Sequence, residues 1–238
     1  MIGPRYPWLA VLATALGMAS ALSSVAHAQD DEVSQQIWVD YNPRWTWPSG
    51  LELYGDVGLR TELGETGWGR IVIRPGLRGP VGPFRLSGGV GSFYTANEAA
   101  ADRWEIRPFQ GISATWPSKR IRLDHYLRLE ERLEFEMADW TLDASLRLRY
   151  RLQAQFRWGG FSGDVFWRLM LHGEAFATVT GEAGQFDERF RLGFAVERGF
   201  GPKFRVRVDL TWQKVGAPFS GAPTDDLYIR VRAFHFWM

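Results

Sequence analysis

Over residues 141–156 polar and apolar side chains alternate without a break for sixteen positions. Thr141, Asp143, Ser145, Arg147, Arg149, Arg151, Gln153 and Gln155 share one face, while Leu142, Ala144, Leu146, Leu148, Tyr150, Leu152, Ala154 and Phe156 share the other. A period of two is that of a β-strand, whose successive side chains point to opposite sides of the pleat; a helix would scatter the same arginines around its circumference. At about 3.3 Å per residue the strand is much longer than the usual five or six residues. Three arginines in alternate positions make a poor edge for a small soluble sheet. An inside-out barrel accommodates them, with apolar residues toward lipid and charges toward a polar lumen.

The first residues agree with export. Arg5 supplies a positive start, residues 8–25 carry no charge, and Ala26-His27-Ala28 has the small-x-small form of a signal peptidase site. A cleaved signal peptide is therefore expected over residues 1–28, with passage through the periplasm to the outer membrane of a Gram-negative cell. The whole chain holds 28 basic and 27 acidic residues, and the leader contains Arg5 alone, so residues 29–238 balance at 27 against 27. That balance argues against nucleic acid as a partner, which would want a basic excess. With no cysteine, disulfides and thiolate metal sites are excluded. No grouping of histidines and carboxylates at ligand spacing predicts a metal, and no other cofactor is expected. Beyond the leader no apolar run is long enough for a spanning helix, so any insertion must be by strands.

Alternation returns along the rest of the chain. Leu51, Leu53, Val57 and Leu59 oppose Glu52, Asp56 and Arg60; Ile71, Ile73 and Leu77 oppose Arg70, Arg74 and Arg78. Phe204, Val206, Val208 and Leu210 oppose Arg205, Arg207 and Asp209, and Leu227, Ile229 and Val231 oppose Tyr228, Arg230 and Arg232. Glu131 interrupts the apolar face of its strand. Tight turns are expected at 79–82, Pro117-Ser118, Gly159-Gly160 and 199–202, and longer loops at 62–66, 95–101, 136–139, 179–185 and 214–225. Short turns at one end and long loops at the other are the pattern of outer-membrane barrels. The expected fold is all-β, a single antiparallel up-and-down transmembrane β-barrel over residues 48–238. Ten strands are counted from Leu51, with both termini on the short-turn side, or twelve if one break is missed. Residues 29–47 are placed outside the wall, in the periplasm or against the lumen, because an eleventh strand would break the even number of bacterial barrels.

Nine tryptophans (Trp45, Trp47, Trp68, Trp104, Trp116, Trp140, Trp158, Trp212 and Trp237) fall near expected strand ends. Indole favours that headgroup level, where the ring is in apolar surroundings and the N–H reaches water. The final Phe234-His235-Phe236-Trp237-Met238 has the aromatic character of a last strand that engages the barrel-assembly machinery. Outer-membrane lipids are the other expected partner.

The motifs Glu105-x-Arg107-x-Phe109-Gln110, Arg128-x-Glu130-x-Arg132, Arg147-x-Arg149-Tyr150-Arg151, Glu174-x-Phe176 and Arg189-x-Arg191-x-Gly193 occur in this order. In them the chain resembles the family catalogued as domain of unknown function 2490, over about residues 38–236. The resemblance implies an outer-membrane or periplasmic β protein of Gram-negative bacteria with no established activity, and it carries over no catalytic residues.

The lumen face collects a charge network of Glu105, Arg107, Arg128, Glu130, Arg132, Asp143, Arg147, Arg149, Arg151, Glu174, Arg189 and Arg191. A four-residue loop at 136–139 would set Arg132 opposite Asp143 and Glu130 opposite Ser145. A two-residue turn at Gly159-Gly160 would set Arg147 opposite His172 and Ser145 opposite Glu174. The first expectation is an arginine–carboxylate lattice that fills a closed or narrow barrel, in a structural or envelope role. One alternative is a porin-like passive channel that passes small anions along Arg70, Arg74, Arg107, Arg147, Arg149, Arg205, Arg207 and Arg230. Another is a lipid hydrolase with Ser145, His172 and Glu174 as nucleophile, base and orienting carboxylate. A soluble lipocalin-like barrel would show the same alternation with its faces exchanged.

Overall fold

Every alternating run of the sequence becomes a strand in the computed structural model, which describes residues 33–63, 67–98, 100–116, 121–158, 165–180, 189–215 and 224–237. The leader expected over 1–28, the turns at Pro117-Ser118 and Gly159-Gly160, Met238 and most of the loops at 62–66, 179–185 and 214–225 lie outside those residues. The strands are β1 Val33–Thr46, β2 Glu52–Leu63, β3 Trp68–Val81, β4 Phe84–Asn97, β5 Arg103–Trp116, β6 Ile121–Glu136, β7 Thr141–Trp158, β8 Val165–Thr178, β9 Arg189–Phe200, β10 Phe204–Val215 and β11 Thr224–Trp237. Each pairs antiparallel with the next, and the ring closes between β1 and β11.

Eleven strands replace the expected ten or twelve, and residues 33–46, expected outside the wall, are the closing strand. In an up-and-down barrel with an odd number of strands the first and last run the same way, so β1 and β11 must pair in parallel. Val39 accordingly lies beside Val231, and Trp38 beside Arg230. Parallel pairing is slightly weaker than antiparallel, and side chains reinforce this seam. Trp38 stacks on Tyr228 with centroids 4.0 Å apart, and Asp40 pairs with Arg230. A second consequence is that the described chain starts at the end where the β2–β3 and β10–β11 connections lie, opposite the end where β11 finishes.

Burial separates the two faces cleanly. Val39, Leu53, Val57, Leu59, Ile71, Ile73 and Leu77 are 44–62% exposed on the outside of the wall. Asp40, Asp56, Arg60, Glu105, Arg107, Arg128, Glu130, Arg147 and Glu174 are buried inside. The lipocalin-like arrangement, with an apolar interior and a charged exterior, is therefore not the one this chain adopts. Glu131 is exposed on the outer face opposite Leu146, and nothing in the structure explains it.

The middle and the short-turn half of the interior are filled. Phe109, Phe166, Met170 and Phe234 are almost inaccessible there. The glycines of β4 make this packing feasible: a Cβ at Gly89 would collide with Cζ of Phe109 at 2.6 Å, and one at Gly91 with Cε2 of Phe93 at 2.6 Å. Toward the other end the filling stops and leaves a cavity of about 310 Å³.

Candidate functional site: an arginine chamber inside the barrel

Inward charges must be paired, because an isolated buried ion costs several kcal/mol in lost hydration. Glu130 shows how β6 meets this demand. Its carboxylate is fully buried and opposite Arg147, whose Nε donates to Oε2 at 2.9 Å. Arg128 Nε lies 2.9 Å from Oε1, Arg107 approaches Oε2 at 3.7 Å, and Arg149 approaches Oε1 at 3.9 Å. Glu174 on β8 is a second hub, with Arg149 at 2.6 Å, Arg191 at 3.5 Å and Arg151 at 3.9 Å. Glu105 joins Arg107 to Arg132 at 2.5 and 2.9 Å, and Arg132 also meets Glu134. Around the remaining wall Asp56 takes Arg74 at 2.8 Å, Glu197 takes Arg207 at 2.6 Å and Arg168 at 3.2 Å, and Asp209 takes Arg232.

Aromatic rings are the second component of the lattice. Arg128 lies over Phe109 at 3.8 Å, Arg107 over Phe93 at 4.3 Å, and Arg147, Arg149 and Arg191 surround Phe176 at 4.7–5.3 Å. A ring face attracts a guanidinium without desolvating a second charge. Tyr228 was expected on this face beside Arg230 and Arg232, whereas Phe93, Phe109, Phe176 and Trp38 were not singled out as inward aromatics. The available signal was parity, since Phe109 and Phe176 occupy the same alternate positions as the charges in Glu105-x-Arg107-x-Phe109 and Glu174-x-Phe176.

The expected network residues therefore largely meet. Glu105, Arg107, Arg128, Glu130, Arg132, Arg147, Arg149, Arg151, Glu174 and Arg191 form one connected set, while Arg189 lines the cavity at the start of β9. Asp143 stands apart, exposed near the β6–β7 turn opposite Glu134. The registers differ from those expected, by two residues between β6 and β7 and by six between β7 and β8. Glu130 faces Arg147, Arg132 faces Ser145, Arg151 faces Glu174, and Gln153 faces His172. The β6–β7 turn occupies residues 137–140, and β7 continues to pair until Trp158 faces Trp167, so the Gly159-Gly160 dipeptide does not set the register. Both shifts are even, which keeps every side chain on its expected face.

The shift separates the three residues considered for hydrolysis. Ser145 is eight positions along β7 from Gln153, the neighbour of His172, or roughly 26 Å at the usual strand rise. The His172 ring instead lies over Gly193, filling the space that a Cβ there would occupy. His125 and His235 point outward and bond the hydroxyls of Tyr150 and Tyr41 at 2.8 and 3.0 Å. Among the described residues no group of three or more histidines and carboxylates is arranged to hold a metal ion.

The chamber itself is strongly basic. Twelve arginines line it, against the three acidic residues Glu174, Asp209 and Asp226. Of the arginines expected along an anion path, Arg70, Arg74, Arg107, Arg147, Arg149 and Arg230 contribute to its walls, and Arg205 and Arg207 do not.

The fold and interior together define a closed β-barrel with an apolar outer wall and an arginine–carboxylate–aromatic lumen. The family model for a protein of unknown function, DUF2490, matches residues 35–218, and the chain belongs to that family. No curated protein matches it.

Proposed function

We propose that the chain is an outer-membrane β-barrel whose lumen is sealed toward the short-turn end, serving the envelope as a closed barrel and not as an open pore. One observation carries the membrane assignment: among the described residues the outside of the wall is apolar but for a few residues such as Glu131 and Arg198, while the other charges of the wall are inside. Soluble monomers rarely leave apolar patches above a few hundred Å² in contact with water. Outward Trp45, Trp116, Trp140 and Trp167, each near a strand end, suit the two headgroup levels. The sealing is supported by Phe109, Phe166, Met170 and Phe234, which fill the lumen below the chamber. Export by the leader, lipid contact along the wall and assembly through β11 complete the proposal.

Heat-modifiable migration tests the membrane assignment. Refolded in detergent, the protein should run as a compact species in gels before boiling and as an extended one after. A single boiling-insensitive band from protein with full β-sheet circular dichroism, together with failure to enter liposomes, would refute it.

A further inference from the structure

Four pairs of arginines face each other directly across neighbouring strands: Arg60 and Arg70, Arg128 and Arg149, Arg157 and Arg168, Arg207 and Arg232. Like charges in that position repel at about 5 Å between Cβ atoms, so each pair needs an anion. Arg128 and Arg149 share Glu130, Arg207 and Arg232 flank Glu197 and Asp209, and Arg168 holds Glu197. Arg60 and Arg70 have no carboxylate within 4.0 Å among the described residues. Arg60 is 9% exposed and its Nε has no hydrogen-bond partner. Arg70 makes one hydrogen bond, to the Thr95 hydroxyl at 2.6 Å.

Both arginines line the chamber. Arg60 Cζ lies over the Trp38 ring, 4.1 Å from its centroid. That ring is also stacked on Tyr228 and anchored by its indole N–H to Gln36 at 3.0 Å. The fork of Arg60 is thus fixed before any ligand arrives, which lowers the ordering cost of binding. The surroundings add positive charge. Leaving Arg189 aside, eleven arginines line the chamber, and the carboxylates within 4.0 Å of them belong to seven described residues: Asp40, Asp56, Glu105, Glu130, Glu134, Glu174 and Asp209.

We propose that the Arg60–Arg70 pair is the floor of a binding site for a phosphate group, carried by a compact multiply charged molecule that enters the chamber. Guanidinium forks from partner positions of the chamber wall suit the oxygens of a phosphate, and a dianion adds the close counter-charge that Asp40 and Asp56 for Arg60, and Glu105 for Arg70, supply only from beyond 4.0 Å. A volume of about 310 Å³ admits a phosphate ester or pyrophosphate, not a polymer. The site deepens the sealed-barrel proposal by giving its cup a content, but it depends on the chamber and not on what surrounds the wall.

The test is calorimetric titration of the refolded full chain, in a phosphate-free sugar detergent, with inorganic phosphate and with pyrophosphate. Pyrophosphate should bind more tightly than phosphate. Arg60→Gln and Arg70→Gln should each weaken binding by at least about tenfold, the loss of one charge-assisted hydrogen bond. Arg122→Gln, at the far rim, should leave it unchanged. Because the substitutions relieve an unpaired repulsion, both variants should keep or raise the ligand-free melting temperature. Pyrophosphate should raise it in the wild type alone. Phosphatidylcholine vesicles with and without phosphatidic acid separate the two sources of phosphate. Stabilisation that requires both phosphatidic acid and Arg60, with no response to pyrophosphate, assigns a lipid headgroup; pyrophosphate binding in detergent assigns a soluble ester. No response to any phosphate, or equal affinity in the wild type and both glutamine variants, overturns the site. Failure of the heat shift would refute the membrane assignment without touching this result.

Discussion

Glu130 and Arg147 face each other across β6 and β7, and the carboxylate accepts hydrogen bonds from both Nε and Nη2 of this one arginine. Because Arg107, Arg128 and Arg149 converge on the same carboxylate, its loss strands several buried cations at once. Removing one partner of a buried pair costs about 3–5 kcal/mol, chiefly through the charge left behind. Glu130→Gln is expected to lower unfolding stability by that amount in denaturant titrations of the folded barrel. Arg147→Gln should cost less, because Glu130 keeps three other arginines. The double variant should be more stable than the sum of the two losses predicts, a coupling of neighbours in one network. Equal stability of Glu130→Gln and wild type would show that the lattice does not hold the lumen.

The outer wall makes an opposite prediction for a charge. Leu59 is 62% exposed, so in water Leu59→Arg would change little. Facing lipid near mid-wall, it should destabilise the barrel by about 2–4 kcal/mol. The relevant comparison is unfolding from liposomes, with Arg122→Leu at the rim as the control. A neutral Leu59→Arg would place that face in water.

The parallel seam can be tested directly because the chain has no cysteine of its own. Val39 and Val231 are register partners on the outer face, within the Cα separation a disulfide accepts. Oxidation of Val39→Cys with Val231→Cys should produce a cross-linked monomer with altered gel migration. Val39→Cys with Leu227→Cys, four residues out of register, should not. The reverse result would mean a seam shifted in register, and no cross-link in either variant would mean a ten-strand ring with β1 elsewhere.

The β4–β5 connection carries a pH-sensitive contact. Tyr94 donates its hydroxyl hydrogen to Asp102 at 2.5 Å, and the Asn97 N–H donates to the same carboxylate at 3.1 Å. First the tyrosine bond, then the amide, holds the Asp102 carboxyl below its ordinary value. A carboxyl lowered in the folded state stabilises above its unfolded value, about 4, and loses that contribution as pH falls through the lower folded value. Amide protection at residues 97–102, taken relative to the intrinsic exchange rate at each pH, should therefore fall at acid pH, and Asp102→Asn should show the lower protection already at pH 7. No difference between the two proteins at neutral pH would refute the contact.

The sequence made the faces of this barrel readable and left its ring count and registers hidden. Period-two alternation fixes which side chains turn inward, and an even register error preserves that assignment, so the charge network could be named although Glu130 was set opposite Ser145 instead of Arg147, and Arg147 opposite His172 instead of Thr178. Register depends on where both strands of a hairpin begin and end: β7 stops at Trp158, just before the turn signal Gly159-Gly160, but its partner there is Trp167 and not Phe161. β1 was legible as a possible eleventh strand over residues 36–47 and was set aside for its number alone. Its role contradicts the even-number regularity of bacterial barrels. The chamber was invisible because it depends on which arginines lack carboxylates, and that is settled only by neighbours across strands. Arg60 and Arg70 look no different in sequence from Arg74, which has Asp56.

The most direct test of the sealed barrel is single-channel recording from protein whose fold has first been shown by its heat shift. Wild-type barrels in a planar bilayer should give no discrete conductance steps, because Phe109, Phe166, Met170 and Phe234 block the path below the chamber. Regular steps with anion preference, reduced by Arg147→Gln and Arg149→Gln, would contradict the seal and make the arginine lattice the selectivity element of an open channel.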